Sequence, residues 1–114
     1  MNNKEKGELG ERIALRYLIK KGAKILEKNY KIKSGEIDII AKLDNELVFI
    51  EVKSRSNLNY GYPAEAVNYK KIKKILNVAK YYLLINNLHN VPIRFDVLEI
   101  YFNESKINHI INAF

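Results

Sequence analysis

The stretch Gly35-Glu-Ile-Asp-Ile-Ile-Ala41, followed after a short break by Leu47-Val-Phe-Ile-Glu-Val-Lys-Ser-Arg55, decides the fold of this chain. Both halves are rich in Ile, Val and Phe, and Asp44-Asn45 between them is a tight-turn dipeptide. Gly35 to Leu43 and Glu46 to Arg55 are therefore expected as the two strands of a hairpin. A two-residue turn opposes Ala41 to Val48, Ile39 to Ile50 and Ile37 to Val52, a wholly apolar face that must be buried. The other face opposes Ile40 to Phe49, Asp38 to Glu51 and Glu36 to Lys53. Register is strongly specified here, because a slip of one residue would bury every charge.

Directly opposed, Asp38 and Glu51 would have β-carbons roughly 5 Å apart, and like charges so placed destabilise a hairpin. A hard divalent cation resolves the conflict. Mg²⁺ (or Mn²⁺) takes one or two carboxylates, keeps several waters and binds substrate phosphates. Lys53, two residues beyond Glu51, projects from the same face and could orient a water or stabilise developing charge. The simpler explanation is a solvated sheet face on which Lys53 bridges the two acids. Solvated strands, however, usually carry lysine, threonine and mixed polar residues, whereas Ile40 and Phe49 are next in line here. That face is expected to be partly covered, and the metal site is the favoured reading.

Outward from the hairpin, Leu9, Ile13, Ala14, Tyr17 and Leu18 recur at helical spacing, predicting a helix over Glu8 to Lys21 with Gly22 as its left-handed cap. Lys24 to Ile32 reads as a first strand. After the hairpin, Asn57 to Tyr62 reads as a loop, and Pro63 suits the first position of a second helix running to about Asn86. Val67, Ile72, Ile75, Leu76, Val78, Ala79, Tyr82 and Leu83 are its expected inward residues. Ile93 to Phe102 and Lys106 to Ile111 complete the strands. The order α-β-β-β-α-β-β indicates an α/β fold, a mixed central sheet with helices packed on it.

A chain of 114 residues with 47% hydrophobic and 29% charged residues is expected to be one globular domain over 1–114. It has no cysteine, which excludes disulfides, thiolate zinc sites and cysteine nucleophiles. No apolar run approaches the ~20 residues of a membrane helix, and no apolar stretch backs the charged start as in a signal peptide. A cytoplasmic location without membrane contact is expected. The net charge is +7, and it is unevenly placed. Arg12 to Gly35 holds eight basic residues and one acid, and Ala66 to Phe95 holds six basic residues and no acid. Solvated helices usually mix both signs, so the acid-free stretch points to a nucleic-acid partner held through phosphates.

Asp38, twelve intervening residues and then Glu51-Val52-Lys53 resemble the D…(D/E)xK signature of restriction-endonuclease-like nucleases. The wider pattern resembles the YraN family of small bacterial proteins over nearly the whole chain. It comprises Gly7-x-x-Gly-Glu11-x-x-Ala14, Gly35-Glu-Ile-Asp-Ile-Ile, Phe49-Ile-Glu-Val-Lys-Ser-Arg55, Tyr60-Gly61, Arg94-Phe-Asp-Val97 and Asn112-Ala-Phe114. The resemblance implies a restriction-endonuclease-like α-β-β-β-α-β core, like that of Holliday-junction resolvases. It implies Asp38, Glu51 and the Val52 carbonyl as metal ligands, Lys53 as catalytic lysine and Glu11 as a further acid from the first helix. Ile37 stands where many such nucleases have a dispensable proline.

Lys71 interrupts the inward stripe of the second helix between Val67 and Ile75, and is expected as a phosphate contact near the metal. Arg55, Lys70 and Lys74 are the other candidate nucleic-acid contacts. Tyr60 and Tyr62 could stack on an unpaired base or simply pack the loop. Asp96 is expected to be structural, and His89 and His109 to be isolated and inert. The expected function is a Mg²⁺- or Mn²⁺-dependent endonuclease acting on branched or structured DNA. The alternatives are a nucleic-acid-binding module that cuts nothing, and an adaptor whose basic surface serves a protein partner. DNA is favoured over RNA, and a homodimer is compatible with this reading.

Overall fold

The structure is a computed structural model, and it describes residues 1–56 and 68–114. Two helices and five strands follow in the order α1 (Asn3–Lys20), β1 (Lys24–Ile32), β2 (Gly35–Leu43), β3 (Glu46–Arg55), α2 (Tyr69–Ile85), β4 (Ile93–Tyr101) and β5 (Lys106–Ile110). This is the expected α/β order. The strands form one sheet in sequence order β1-β2-β3-β4-β5. All neighbours are antiparallel except β3 and β4, which run parallel with α2 lying between them in sequence. No helix among the described residues is long and apolar enough to cross a membrane.

The β2–β3 hairpin forms around Asp44 and Asn45, both at positive φ (54° and 63°), the backbone that a two-residue turn matched to strand twist demands. Register follows the expected pairing through Lys42–Leu47, Ala41–Val48, Ile40–Phe49 and Ile39–Ile50. There the ladder stops. The expected pairs Asp38–Glu51, Ile37–Val52 and Glu36–Lys53 lie beyond its last rung. In place of a ladder bond, the Asp38 side chain reaches across and its Oδ2 accepts the Val52 N–H at 2.8 Å.

The change also alters which way side chains point. Ile39, Ala41 and Leu43 pack with Val48, Ile50, Leu98 and Ile100 against Ala14 and Leu18 of α1. Ile40 and Phe49 pack on the opposite face against Ile75, Val78, Ala79 and Tyr82 of α2. Ile37, expected beside Ile39, belongs to this second cluster. Strict alternation is therefore lost at Asp38. On β1, Asn29 lies between the registered pairs Lys28–Ile39 and Tyr30–Ile37, and it takes a positive φ of 50°. Both faces of the central strands are covered, which explains their nearly continuous apolar sequence. Leu18, Ile39, Ile50 and Phe49 are at most 1% exposed, and burying side chains of this size is worth roughly 1.5–3 kcal/mol each.

Helix α1 begins five residues earlier than the apolar periodicity suggests, because the Asn2 side chain accepts the Glu5 N–H at 2.8 Å and caps it. Gly22, at φ 94°, ends it as expected. Helix α2 starts at Tyr69, with Asn68 Oδ1 accepting the Lys71 N–H at 3.0 Å. The expected helix start at Pro63, together with Val67, Tyr60 and Tyr62, lies outside the described residues. Leu76, expected inward, is 37% exposed, because α2 rests on the sheet through the narrower stripe Ile75, Val78, Ala79 and Tyr82.

His109 is a second correction. It is not isolated: its Nε2 lies 2.7 Å from Asp96 Oδ2 and its Nδ1 lies 3.1 Å from the Tyr17 hydroxyl. Fully buried Asp96 also takes two nitrogens of Arg94 and the Asn112 N–H. Arg94 in turn reaches Asp44 and Glu46 at the hairpin turn. Burial pushes the Asp96 carboxyl up, but the bonds from His109, Arg94 and Asn112 outweigh it and hold the group below its ordinary value. This network ties α1, the hairpin turn, β4 and the C-terminal residues together, at the end of β3 away from Glu51. Its reading as structural holds for Asp96.

Candidate active site

Where β2 and β3 separate, four elements converge. Glu51 follows the last ladder rung on β3 and faces α2; its side chain is only 5% exposed. Its Oε2 lies 3.7 Å from Lys71 Nζ of α2, and its buried Oε1 has no hydrogen-bond partner among the described residues. Burial, first, and the Asp38 charge, second, push the Glu51 carboxyl up to about 8; the ammonium groups of Lys71 and Lys53 oppose this and do not overcome it. Lys53, half-buried two residues on, is pushed down to about 8 by burial and then by neighbouring Lys71, against the pull of Glu51 and Asp38. From α1, Glu11 comes close enough that burial and then the charges of Asp38, Glu36 and Glu8 raise its carboxyl.

Glycine makes the α1 approach possible. A β-carbon on Gly10 would stand 1.8 Å from Ser54 Oγ, so no other residue lets this turn of α1 lie against the end of β3. Glu11 is carried to the site by that contact. Two clefts open on either side of Asp38 and share Glu36 and Asp38 as walls. One, of about 500 Å³, is lined by Gly35, Glu51, Asn68, Lys70, Lys71 and Lys74 among others. The second, of about 390 Å³, includes Lys6, Glu11, Asn29, Val52 and Ser54.

The sequence candidates thus divide. Asp38, Glu51, Lys53 and Lys71 meet electrostatically, and Glu11 joins them from the α1 side. Val52 donates its N–H to Asp38 and lines the second cleft. Lys70 and Lys74 stand on the wall of the first cleft. Among the described lining residues of the two clefts Arg55 is absent; it is half-buried at the end of β3, and its Nε has no hydrogen-bond partner among the described residues. Glu36, which the sequence does not single out, lines both clefts, and the signal for it is its place two residues before Asp38. Glu99 is fully buried at the register position beside Lys53, bonded by the Tyr101 hydroxyl at 3.0 Å and by Asn108. Its signal is an acid within the apolar run Val97 to Ile100.

Among the described residues, no group of three or more His, Cys, Asp or Glu side chains is arranged to hold a metal ion. The donor set is instead two carboxylates, Asp38 and Glu51, one of them with a buried oxygen that has no hydrogen-bond partner among the described residues. That suits a hard cation which completes its shell with water.

These groups set a measurable pH dependence. In EDTA, the folded protein holds the Glu51 proton to about pH 8, whereas an unfolded chain releases it near 4.5. The folded state binds more protons across that window, so stability is highest below it and falls as pH rises to about 8. Lys53 has the opposite slope: the folded chain loses its proton at about 8 and the unfolded chain at 10.5, so stability recovers over that range. Thermal melts should therefore show a minimum near pH 8. Glu51→Gln should remove the acid-side fall and stabilise the metal-free protein at pH 8, by on the order of a few kcal/mol. Superimposable melt profiles for the two proteins would show that Glu51 ionises freely.

A mixed-sheet α/β protein with a half-buried Asp38 and a buried Glu51 side by side at the splayed end of a hairpin, under a lysine-bearing helix, is the class that fold and site define. The chain belongs to the uncharacterised protein family UPF0102, whose profile matches residues 10–100, in agreement with the YraN resemblance. It is 65% identical over 114 residues to a UPF0102 protein of Clostridioides difficile (strain 630), covering 100% of both chains. It is 49% identical over 119 residues to one from Caldanaerobacter subterraneus subsp. tengcongensis, covering 100% of this chain and 98% of that one. Among solved structures, Pyrococcus furiosus SfsA in complex with Ca²⁺ matches with a TM-score of 0.36 and 18% identity, over 95% of this chain and 62% of that one. That likeness is too loose to carry an argument.

Proposed function

We propose that this chain is a divalent-metal-dependent endonuclease that hydrolyses phosphodiester bonds, with branched or structured DNA as the favoured substrate. The observation that carries the reading is the buried Glu51 carboxyl set beside Asp38 and within the field of Lys53 and Lys71. Asp38 and Glu51 would hold Mg²⁺ or Mn²⁺, with the Val52 carbonyl as the third protein ligand that the family resemblance implies. The cation would supply Lewis-acid polarisation of the phosphoryl oxygen.

The chain's own residues supply the rest. Asp38 is held in place by the Val52 N–H. Lys53, at about 8 in the metal-free chain, is mainly ammonium near pH 7 with a minor neutral fraction. Its neutral amine accepts a proton from the attacking water, and its ammonium form stabilises charge developing on the phosphoryl group. Glu11, on the α1 side, is placed to orient water within the second cleft. Lys70, Lys71 and Lys74 along the first cleft neutralise backbone phosphates.

The test is incubation of purified protein with linear duplex, single-stranded and four-way-junction DNA in Mg²⁺, Mn²⁺ or EDTA. Cleavage in the metal lanes and none in EDTA is expected. Binding without cleavage in every lane would leave the non-catalytic binding module, which the acid-free face of α2 favours independently. Affinity should also fall with salt. If Lys70, Lys71 and Lys74 each neutralise one phosphate, log K against log[salt] should have a slope of roughly −3. A flat plot would remove phosphate contacts as the main source of affinity.

A further inference from the structure

We infer that Lys71 is a tethered stand-in for the divalent cation, occupying the Glu51 carboxyl in the metal-free protein and moving to a substrate phosphate when metal enters. The inference rests on the metal reading of Asp38 and Glu51 and gives a second role to a residue that the sequence suggests only as a phosphate contact.

The geometry has three parts. Among the described residues, Lys71 is the cation within ion-pair distance of Glu51, with Nζ 3.7 Å from Oε2. That separation is longer than the 2.7–2.9 Å of a charge-assisted hydrogen bond, so the ammonium lies at the mouth of the carboxyl without a direct hydrogen bond and is easily exchanged. The Lys71 side chain is 38% exposed while that of Glu51 is 5% exposed, so the lysine enters from solvent and has a path back to it. Finally, the Lys71 backbone is pinned in the first turn of α2 by the Asn68 cap, which leaves the four-carbon stem as the moving part.

A divalent cation and an ammonium cannot share the mouth of one buried carboxyl, since their repulsion at about 4 Å is several times larger than thermal energy even at a screened interior dielectric. Cation entry therefore displaces the ammonium. The cleft that receives it is lined by Lys70 and Lys74, where a phosphate backbone would run. Lys71 thus couples the two events. It opposes metal binding in the absence of nucleic acid and favours nucleic-acid binding once metal is present. A residue serving only as a phosphate contact would have no effect on metal affinity, and a residue serving only as a structural ion-pair partner would weaken the fold when removed.

Lys71→Met keeps the stem and removes the charge; Lys71→Gln is the second variant, and Lys80→Met, an exposed position farther along α2, controls for net charge. Calorimetric titration with Mn²⁺ in the absence of DNA should show both Lys71 variants binding about tenfold more tightly than wild type, with Lys80→Met unchanged. Binding of junction DNA is then measured in a Lys53→Ala background. Loss of Lys71 should change affinity little in EDTA. In Mn²⁺ it should weaken affinity and flatten the salt plot by about one unit. Tight Mn²⁺ binding by wild type with no gain in either Lys71 variant would overturn this inference and leave the metal reading standing. No Mn²⁺ binding by any of the proteins would overturn both. Binding by the Lys71 variants alone would support the stand-in role in its strongest form.

Discussion

Lys53→Ala is expected to reduce metal-dependent cleavage by at least roughly 10²–10³-fold, the usual cost of removing one preorganised group that stabilises transition-state charge. The fold and the affinity for Mn²⁺ should not weaken. Lys53 is not a proposed ligand, and its ammonium is held in an unfavourable setting, burial and Lys71 both disfavouring its charge. Removing it relieves that conflict, so the metal-free variant should melt no lower than wild type at pH 7. Single-turnover cleavage, Mn²⁺ titration and a thermal melt on the same preparation separate the three effects. Equal cleavage by wild type and variant would remove the nuclease assignment from this site. A parallel loss of metal affinity and stability would instead make Lys53 a structural counter-charge to Glu51.

Asp96→Ala should give the largest stability loss in the protein, about 3–5 kcal/mol, because it leaves Arg94 buried without its main partner. Arg94 is only 4% exposed and meets Asp96 through two nitrogens, while His109 and the Asn112 N–H end on the same carboxylate. Domains of this size have total stabilities of roughly 5–15 kcal/mol, so partial unfolding at 37 °C is within range. Urea denaturation at pH 7 measures it. The pH dependence has a definite sign. The Asp96 carboxyl is held below its ordinary value of 3.8, so its contribution is complete above that pH and is lost as pH falls through the depressed folded value. The folded fraction of the variant should still bind Mn²⁺, since the network sits by the hairpin turn rather than by Glu51. A loss under about 1 kcal/mol would mean that water solvates Arg94 in the variant.

The hairpin shows how far sequence carries. Two runs of β-branched residues around Asp44-Asn45 determined the turn, the pairing through Ile39–Ile50 and the covering of both faces. These follow from local sterics and from alternating burial, and both are written in the order of residues. The candidate acids Asp38 and Glu51 and the lysine Lys53 were legible for the same reason, as charges interrupting an apolar pattern. Where the pattern stopped predicting was at Asp38 itself. A side chain replaced a backbone rung, the strands parted and Ile37 turned to the other face. Periodicity assumes a regular ladder, so it cannot foresee a residue that ends one.

His109 and Lys71 mark the other boundary. Tyr17, Asp96 and His109 are far apart in the chain, and nothing in their spacing signals that α1, β4 and β5 bring them within hydrogen-bond distance. Lys71 could be noticed as a charge in an apolar stripe, but its partner could not, because α2 is fitted against β3 only by tertiary packing. By itself the sequence determined the order of the elements and the hairpin register from the turn to Ile39–Ile50, since each depends on neighbours along the chain. The tertiary structure alone decided where the ladder ends, that the Glu51 carboxyl is buried, and that a lysine twenty residues later lies against it. Those depend on desolvation and distance between segments, which are properties of the packed molecule.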